Sequence, residues 1–137
     1  ATPEEIEERY TDINNFETYL AHQNITVMKF MLHISPEYQY KRFEHRLSDP
    51  EKWWKFSQHD LEERKLWGAY MDAFEIALSK CSTKHAPWYV IPAESKAFRC
   101  LVIGEILRKA LEDMVPQYPE PSFDPDVYNV DNLHWYA

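Results

Sequence analysis

Seven cations fall between residues 41 and 65: Lys41, Arg42, Arg46, Lys52, Lys55, Arg64 and Lys65. Arg42 and Arg46 are four apart, so on a helix they share a face, one turn from each other. A guanidinium fork meets two phosphate oxygens at once, and an ammonium adds a point charge. The chemistry open to such a set is the holding of a polyanion. Glu44, Asp49 and Glu51 are interleaved, so residues 41–55 carry only +2. Surface ion pairing is therefore the competing reading. Ser82 and Thr83 precede Pro87 and Trp88 in a second segment of interest. Hydroxyls and an indole there can hold a nucleobase by hydrogen bonding and stacking, or can merely cap a turn and fill the core.

Other chemistries are poorly supplied. His22, His33, His45, His59, His85 and His134 form no HxH or HExxH pattern, so no metal site is expected. Cys81 and Cys100 form no CxxC, which excludes a zinc pattern and a disulfide framework and points to a reducing cytoplasm. The glycines are Gly68 and Gly104, too few for a phosphate loop, which needs backbone amides to approach the anion closely.

The elements that must position these residues alternate. Ile6, Tyr10, Ile13, Phe16 and Leu20 predict an amphipathic helix over 3–22, with Glu4 and Glu5 near its positive end. Residues 25–34 are short, β-branched and nearly all apolar, which predicts a buried parallel-sheet strand near 26–34 with Lys29 as its one charge. Ser35-Pro36-Glu37 caps a helix running to about Leu47. Ser57 to Asp60 opens one long helix over 58–80, with a stripe of Leu66, Tyr70, Phe74 and Leu78. A second core strand is expected near 88–92, then a helix over 95–114. Pro116, Pro119, Pro121 and Pro125 make residues 116–137 an extended acidic tail.

The whole is 137 residues, 45% hydrophobic and 15% aromatic, so it is neither disordered nor membrane-spanning. Of the net −8, residues 1–20 hold six acids and one base, and residues 112–137 hold six acids and none, which leaves +3 on the body between. That is a poor non-specific nucleic-acid binder with room for a local anion site. Two largely apolar strands cannot make a stable sheet alone, since each wants neighbours on both sides. Further strands must come from elsewhere, or helices must carry the fold.

The segments KFMLHIS (29–35), KRFEHRLSDPEKWWKFS (41–57), LEERKLWGAYMDAFEIAL (61–78) and STKHAPWYVIPAESKAFR (82–99) resemble, in order, the C-terminal half of polyphosphate kinase type 2. RYTDINNFETYL (9–20) is similar to that family's linking helix. The resemblance implies an α/β fold: the helix-rich C-terminal half of a P-loop kinase-like three-layer α/β/α domain. Residues 1–115 would be that part, with a lid region at about 41–80. It implies transfer of phosphate between inorganic polyphosphate and nucleoside mono- or diphosphates, in the cytoplasm, by a homo-oligomer. Magnesium and the phosphate loop would belong to the half not present here, so this chain would be a fragment or a separately encoded half, inactive alone. By the same resemblance, Arg42, Arg46, Lys52, Lys55, Arg64 and Lys65 are lid residues on the phosphate chain. Ser82, Thr83, Trp88 and Lys96 lie in loops on the nucleotide side. Gly68 and Glu94 depart from the family, which commonly has an acid and an aspartate there. A non-catalytic module binding polyphosphate or protein is the alternative, and a membrane or specific nucleic-acid partner is not expected.

Overall fold

The computed structural model describes residues 1–131; the end of the tail, 132–137 with His134, lies outside the described residues. Helix α1 (Pro3–His22) is set by a capping box, in which the Thr2 hydroxyl accepts from the Glu5 amide and the Glu5 carboxylate accepts from the Thr2 amide. It stops at Asn24, whose φ of 58° is one that asparagine tolerates better than most residues. The Ile25 amide then reaches back to the Leu20 carbonyl at 3.0 Å, which closes the helix end.

Strand β1 (Lys29–His33) pairs in parallel with β2 (Trp88–Pro92), Lys29 opposite Trp88 and His33 opposite Pro92. The ladder is bracketed by the Lys29 amide donating to the Pro87 carbonyl at 3.2 Å and the Ala93 amide donating to the His33 carbonyl at 2.8 Å. The first strand is shorter than the expected 26–34. An apolar run marks where a strand can form, but a ladder exists only where a neighbour offers its carbonyls and amides. Burial is also less than the pattern implied. Ile91 is buried, whereas Leu32 is 49% and Val90 52% exposed, and both strands are edges of a two-stranded sheet.

Helix α2 (Pro36–Leu47) follows β1 directly, with the Ser35 hydroxyl accepting from the Tyr38 amide at 3.1 Å. A 3-10 helix spans Pro50–Lys55. The expected single helix over 58–80 is two: α3 (Gln58–Arg64) and α4 (Trp67–Lys80). Between them the Lys65 and Leu66 amides bond three residues back, to Glu62 and Glu63, which tightens the turn and ends α3. The apolar stripe reads continuously across this break because sequence periodicity does not register a local switch of the backbone bonds from four residues back to three. Helix α5 (Lys96–Asp113) follows β2, and the Ser95 hydroxyl accepts from the Phe98 amide at 3.3 Å.

The described residues fall into two units, one over residues 1–103 and the other from Gly104 onward. In the first, the buried apolar side chains are Phe43, Cys81, Ala86, Ile91 and Ala93. Phe30 stacks on Tyr89 at 5.4 Å, and Phe56 meets Phe43 edge-on at 6.3 Å. Helix α1 docks by only part of its apolar stripe: Tyr10 and Leu20 are half-buried, the Tyr10 ring against the Lys80 ammonium at 5.2 Å, while Ile6, Ile13 and Phe16 are exposed, Phe16 by 61%. Polar groups supply most of the rest. Glu7 pairs with Lys80, Asn14 donates to the Lys80 carbonyl at 3.0 Å, and Thr18 meets His85 at 3.2 Å. Glu17 takes both oxygens to Lys29 at 2.6 Å. In the second unit Arg108 pairs with Glu105 and Glu112 along α5. Beyond Val115 the described tail has neither long helix nor strand, and turns where the Val127 and Tyr128 amides donate to the Asp124 carbonyl.

Candidate anion-binding cleft

Parallel strands end together, and the crevice outside their carboxyl ends is where open α/β sheets hold ligands. Here β1 and β2 both end beside a cavity of about 620 Å³. Leu32, Ile34, Phe43 and Ala93 supply its apolar walls, and Arg42, Arg46, Lys96 and Arg99 its cations. Asp60 is the one carboxylate among the lining residues. Arg42 and Arg46 arrive from α2 on one face, as the four-residue spacing predicts. Lys96 and Arg99 come from the first turn of α5, three residues apart.

The cations are held differently. Arg46 donates to the Lys55 carbonyl at 3.2 Å, lies 3.6 Å from Asp60 and sits over the Phe43 ring at 5.8 Å. Arg99 donates to the Ala93 carbonyl at 3.0 Å, which braces it against the end of β2. Among the described residues, no ion pair or hydrogen bond engages the side chains of Arg42 or Lys96. Two unpaired cations facing one cavity, with two more beside them, form a place where a negative charge is stabilised. Glu94 stands nearby but is spent on Ser35, accepting from its hydroxyl at 2.6 Å and its amide at 2.9 Å. Those bonds hold the Glu94 carboxyl below the usual glutamate range.

The remaining expected residues lie elsewhere or are already engaged. Lys52 pairs with Asp49 and meets His45 at 3.1 Å, and its hydrogen bond is the main cause of the lowered Asp49 carboxyl pKa. Lys55 covers the Trp54 ring at 4.8 Å. Arg64 donates to the Pro36 carbonyl at 2.8 Å and to Gln39 at 2.7 Å, which ties α3 to α2. It lines a separate apolar groove of about 490 Å³ with Trp67, Tyr70 and Phe74. Lys65 pairs with Glu62 at 2.5 Å on the surface. Ser82 accepts from the Trp88 amide at 3.2 Å, so it acts as a turn cap. Thr83 Oγ1 and Trp88 Nε1 are buried with no hydrogen-bond partner among the described residues. One face of the Trp88 ring is covered by the Lys29 ammonium at 5.4 Å. Arg99 was missed by the sequence reading, although its position one helical turn after Lys96 was a usable signal.

Magnesium does not fit this cleft. Among the described residues, no three His, Cys, Asp or Glu side chains gather to hold an ion, and one carboxylate among four cations is the wrong donor set. Cys81 is no nucleophile candidate either, since burial pushes its thiol pKa up.

The class defined by this fold and cleft is an α/β unit with a cation-lined cleft at the carboxyl end of a parallel sheet. The chain belongs to the polyphosphate kinase 2 family, whose model matches residues 1–119. It is 46% identical over 115 residues to an AMP/ADP-polyphosphate phosphotransferase of Meiothermus ruber, covering 84% of this chain and 43% of that protein. It is 45% identical over 116 residues to an uncharacterized protein in the chlN 3′ region of Leptolyngbya boryana, covering 85% of each. The crystal structure of polyphosphate kinase 2 from Arthrobacter aurescens TC1 superposes with a TM-score of 0.87 at 44% identity, over 90% of this chain and 44% of that one. The chain thus spans less than half the length of the Meiothermus relative and of the solved structure. Among the described residues, no helix is long and apolar enough to cross a membrane.

Proposed function

We propose that this chain supplies the lid and nucleotide-side loops of a polyphosphate-dependent nucleotide phosphotransferase, acting between inorganic polyphosphate and nucleoside mono- or diphosphates. The observation that carries this is the pair of unpaired cations, Arg42 and Lys96, 54 positions apart in sequence, lining one cleft at the carboxyl ends of β1 and β2. The names of the Meiothermus relative and of the solved Arthrobacter enzyme support it. On this reading residues 1–115 are part of a three-layer α/β/α domain, residues 41–80 its lid, and 116–137 a tail. Arg42 and Arg46 grip phosphate oxygens, and Lys96, on the nucleotide side, adds neutralising charge with Arg99. Their contribution is positioning and charge stabilisation, which dominate phosphoryl transfer. Lys52, Lys55, Arg64 and Lys65 shape the lid, and Ser82, Thr83 and Trp88 the loop towards the nucleotide. Magnesium and the phosphate loop belong to residues outside this chain, which alone turns over nothing. The working form is a cytoplasmic homo-oligomer. A second reading, a non-catalytic polyphosphate-binding module, draws on the Leptolyngbya relative, of which this chain covers 85%.

The test is titration of the chain with sodium polyphosphate at several salt concentrations. Binding should weaken steeply with salt, and Arg42→Gln or Lys96→Gln should each cost about three- to tenfold at low salt and flatten the log–log slope by about one. Absence of binding at low salt would overturn the polyanion reading in both forms. Binding without turnover, even when the remaining half of a longer relative is supplied, would favour the second.

A further inference from the structure

Asp60 is out of place in a cleft that otherwise gathers positive charge. It lies in the first turn of α3 and reaches Arg46 of α2, Oδ2 to Nη1 at 3.6 Å. That is beyond hydrogen-bond distance, so the contact is electrostatic and loose. The two side chains are 42% and 30% exposed, so water screens the pair and its intrinsic worth is small. The same Arg46 nitrogen is already oriented by the Lys55 carbonyl at 3.2 Å. Arg46 lines the cleft with one nitrogen held by a backbone partner outside it, while its charge is answered by Asp60. Arg42 and Lys96 have no such answering carboxylate among the described residues.

We propose that Asp60 is a built-in counter-anion that occupies Arg46 until a phosphate chain takes its place. A phosphate oxygen offers Arg46 a shorter, bidentate and more highly charged partner than a carboxylate at 3.6 Å. Breaking the pair offsets part of what the phosphate contact gains, a modest part because the pair is loose and partly screened. Asp60 thus sets the affinity of the cleft below what its cations would give. This rests on the polyanion reading above and adds to it a residue that opposes binding.

Isothermal titration of the full chain with tripolyphosphate decides the matter. Asp60→Asn should bind about three- to tenfold tighter than the unaltered chain at about 50 mM salt, the gain shrinking to less than about twofold at about 300 mM. Asp60→Glu, which keeps the charge, should stay within about twofold of the unaltered chain at both salts. The gain should vanish in an Arg46→Gln background, which a merely structural role for Asp60 would not produce. Thermal melts followed by circular dichroism check that each variant is folded, and Asp60→Ser replaces Asp60→Asn if that variant is not. Equal or weaker binding by the folded neutral variant overturns the proposal and leaves the polyanion reading standing. A gain that persists without Arg46 also overturns it, since Asp60 would then act only as diffuse charge. Failure of the unaltered chain to bind at low salt overturns both.

Discussion

Lys29 sits inside an apolar strand, and the sequence marks it only as an interruption. In the fold its ammonium is 2.6 Å from both Glu17 oxygens and from the Cys81 carbonyl, with the two side chains only 13% and 7% exposed. A charge so enclosed is tolerated because its donors are used, and removing one partner strands the other. Glu17→Ala is therefore expected to destabilise the chain by about 3–5 kcal/mol in urea unfolding. The double change Glu17→Leu, Lys29→Met should cost less than either single change, since no charge is left unpaired. A cost for Glu17→Ala below about 1 kcal/mol would show that the pair is solvated in solution. The cleft residues follow a different rule. Arg42 and Lys96 stand out because nothing among the described residues neutralises them, and spacing alone does not reveal which of fifteen basic residues will be left that way.

Helices were legible wherever their ends carry local chemistry. Thr2, Ser35 and Ser57 each accept an amide hydrogen at the helix start they announce. The break between α3 and α4 was not legible, because Leu66 supplies no side-chain cap and the apolar spacing runs through it. Gly104 lies in the interior of α5, where it gives up helix propensity with no evident gain in packing. A methyl group added there meets nothing within 4 Å. Gly104→Ala is expected to stabilise the chain by about 1 kcal/mol, read as a rise in melting temperature. A fall would show that the space is filled by something the chain meets in solution. Helix α1 teaches the opposite lesson. Its periodicity correctly predicted a helix, but only Tyr10 and Leu20 of the stripe are part-buried, and the polar side chains at Glu7, Asn14, Glu17 and Thr18 make most of the contacts.

For the molecule as a whole, the two-stranded sheet is the unresolved account. Both strands are edges, with Leu32 and Val90 about half exposed, and the apolar groove beside β1 is open. Unpaired amides and carbonyls on apolar edge strands invite another chain. The chain is expected to associate in a concentration-dependent way in sedimentation velocity, and Val90→Lys should shift it towards the 16.5 kDa monomer. A monomer at all concentrations would show that these edges are protected by twist or by side chains.

The residues by themselves determined the βα alternation, the helix caps, the absence of a phosphate loop and the family resemblance, because each is written in local spacing or in contiguous motifs. Their spacing also picked out Arg42 and Arg46, and the resemblance added Lys96. Only the tertiary structure decided that these three share a cleft with Arg99, that Lys52 and Arg64 are committed to partners, and that Asp60 faces Arg46. The physical reason is that a side chain's charge is common to every copy of its residue type, while its freedom depends on which distant groups the fold brings within about 4 Å.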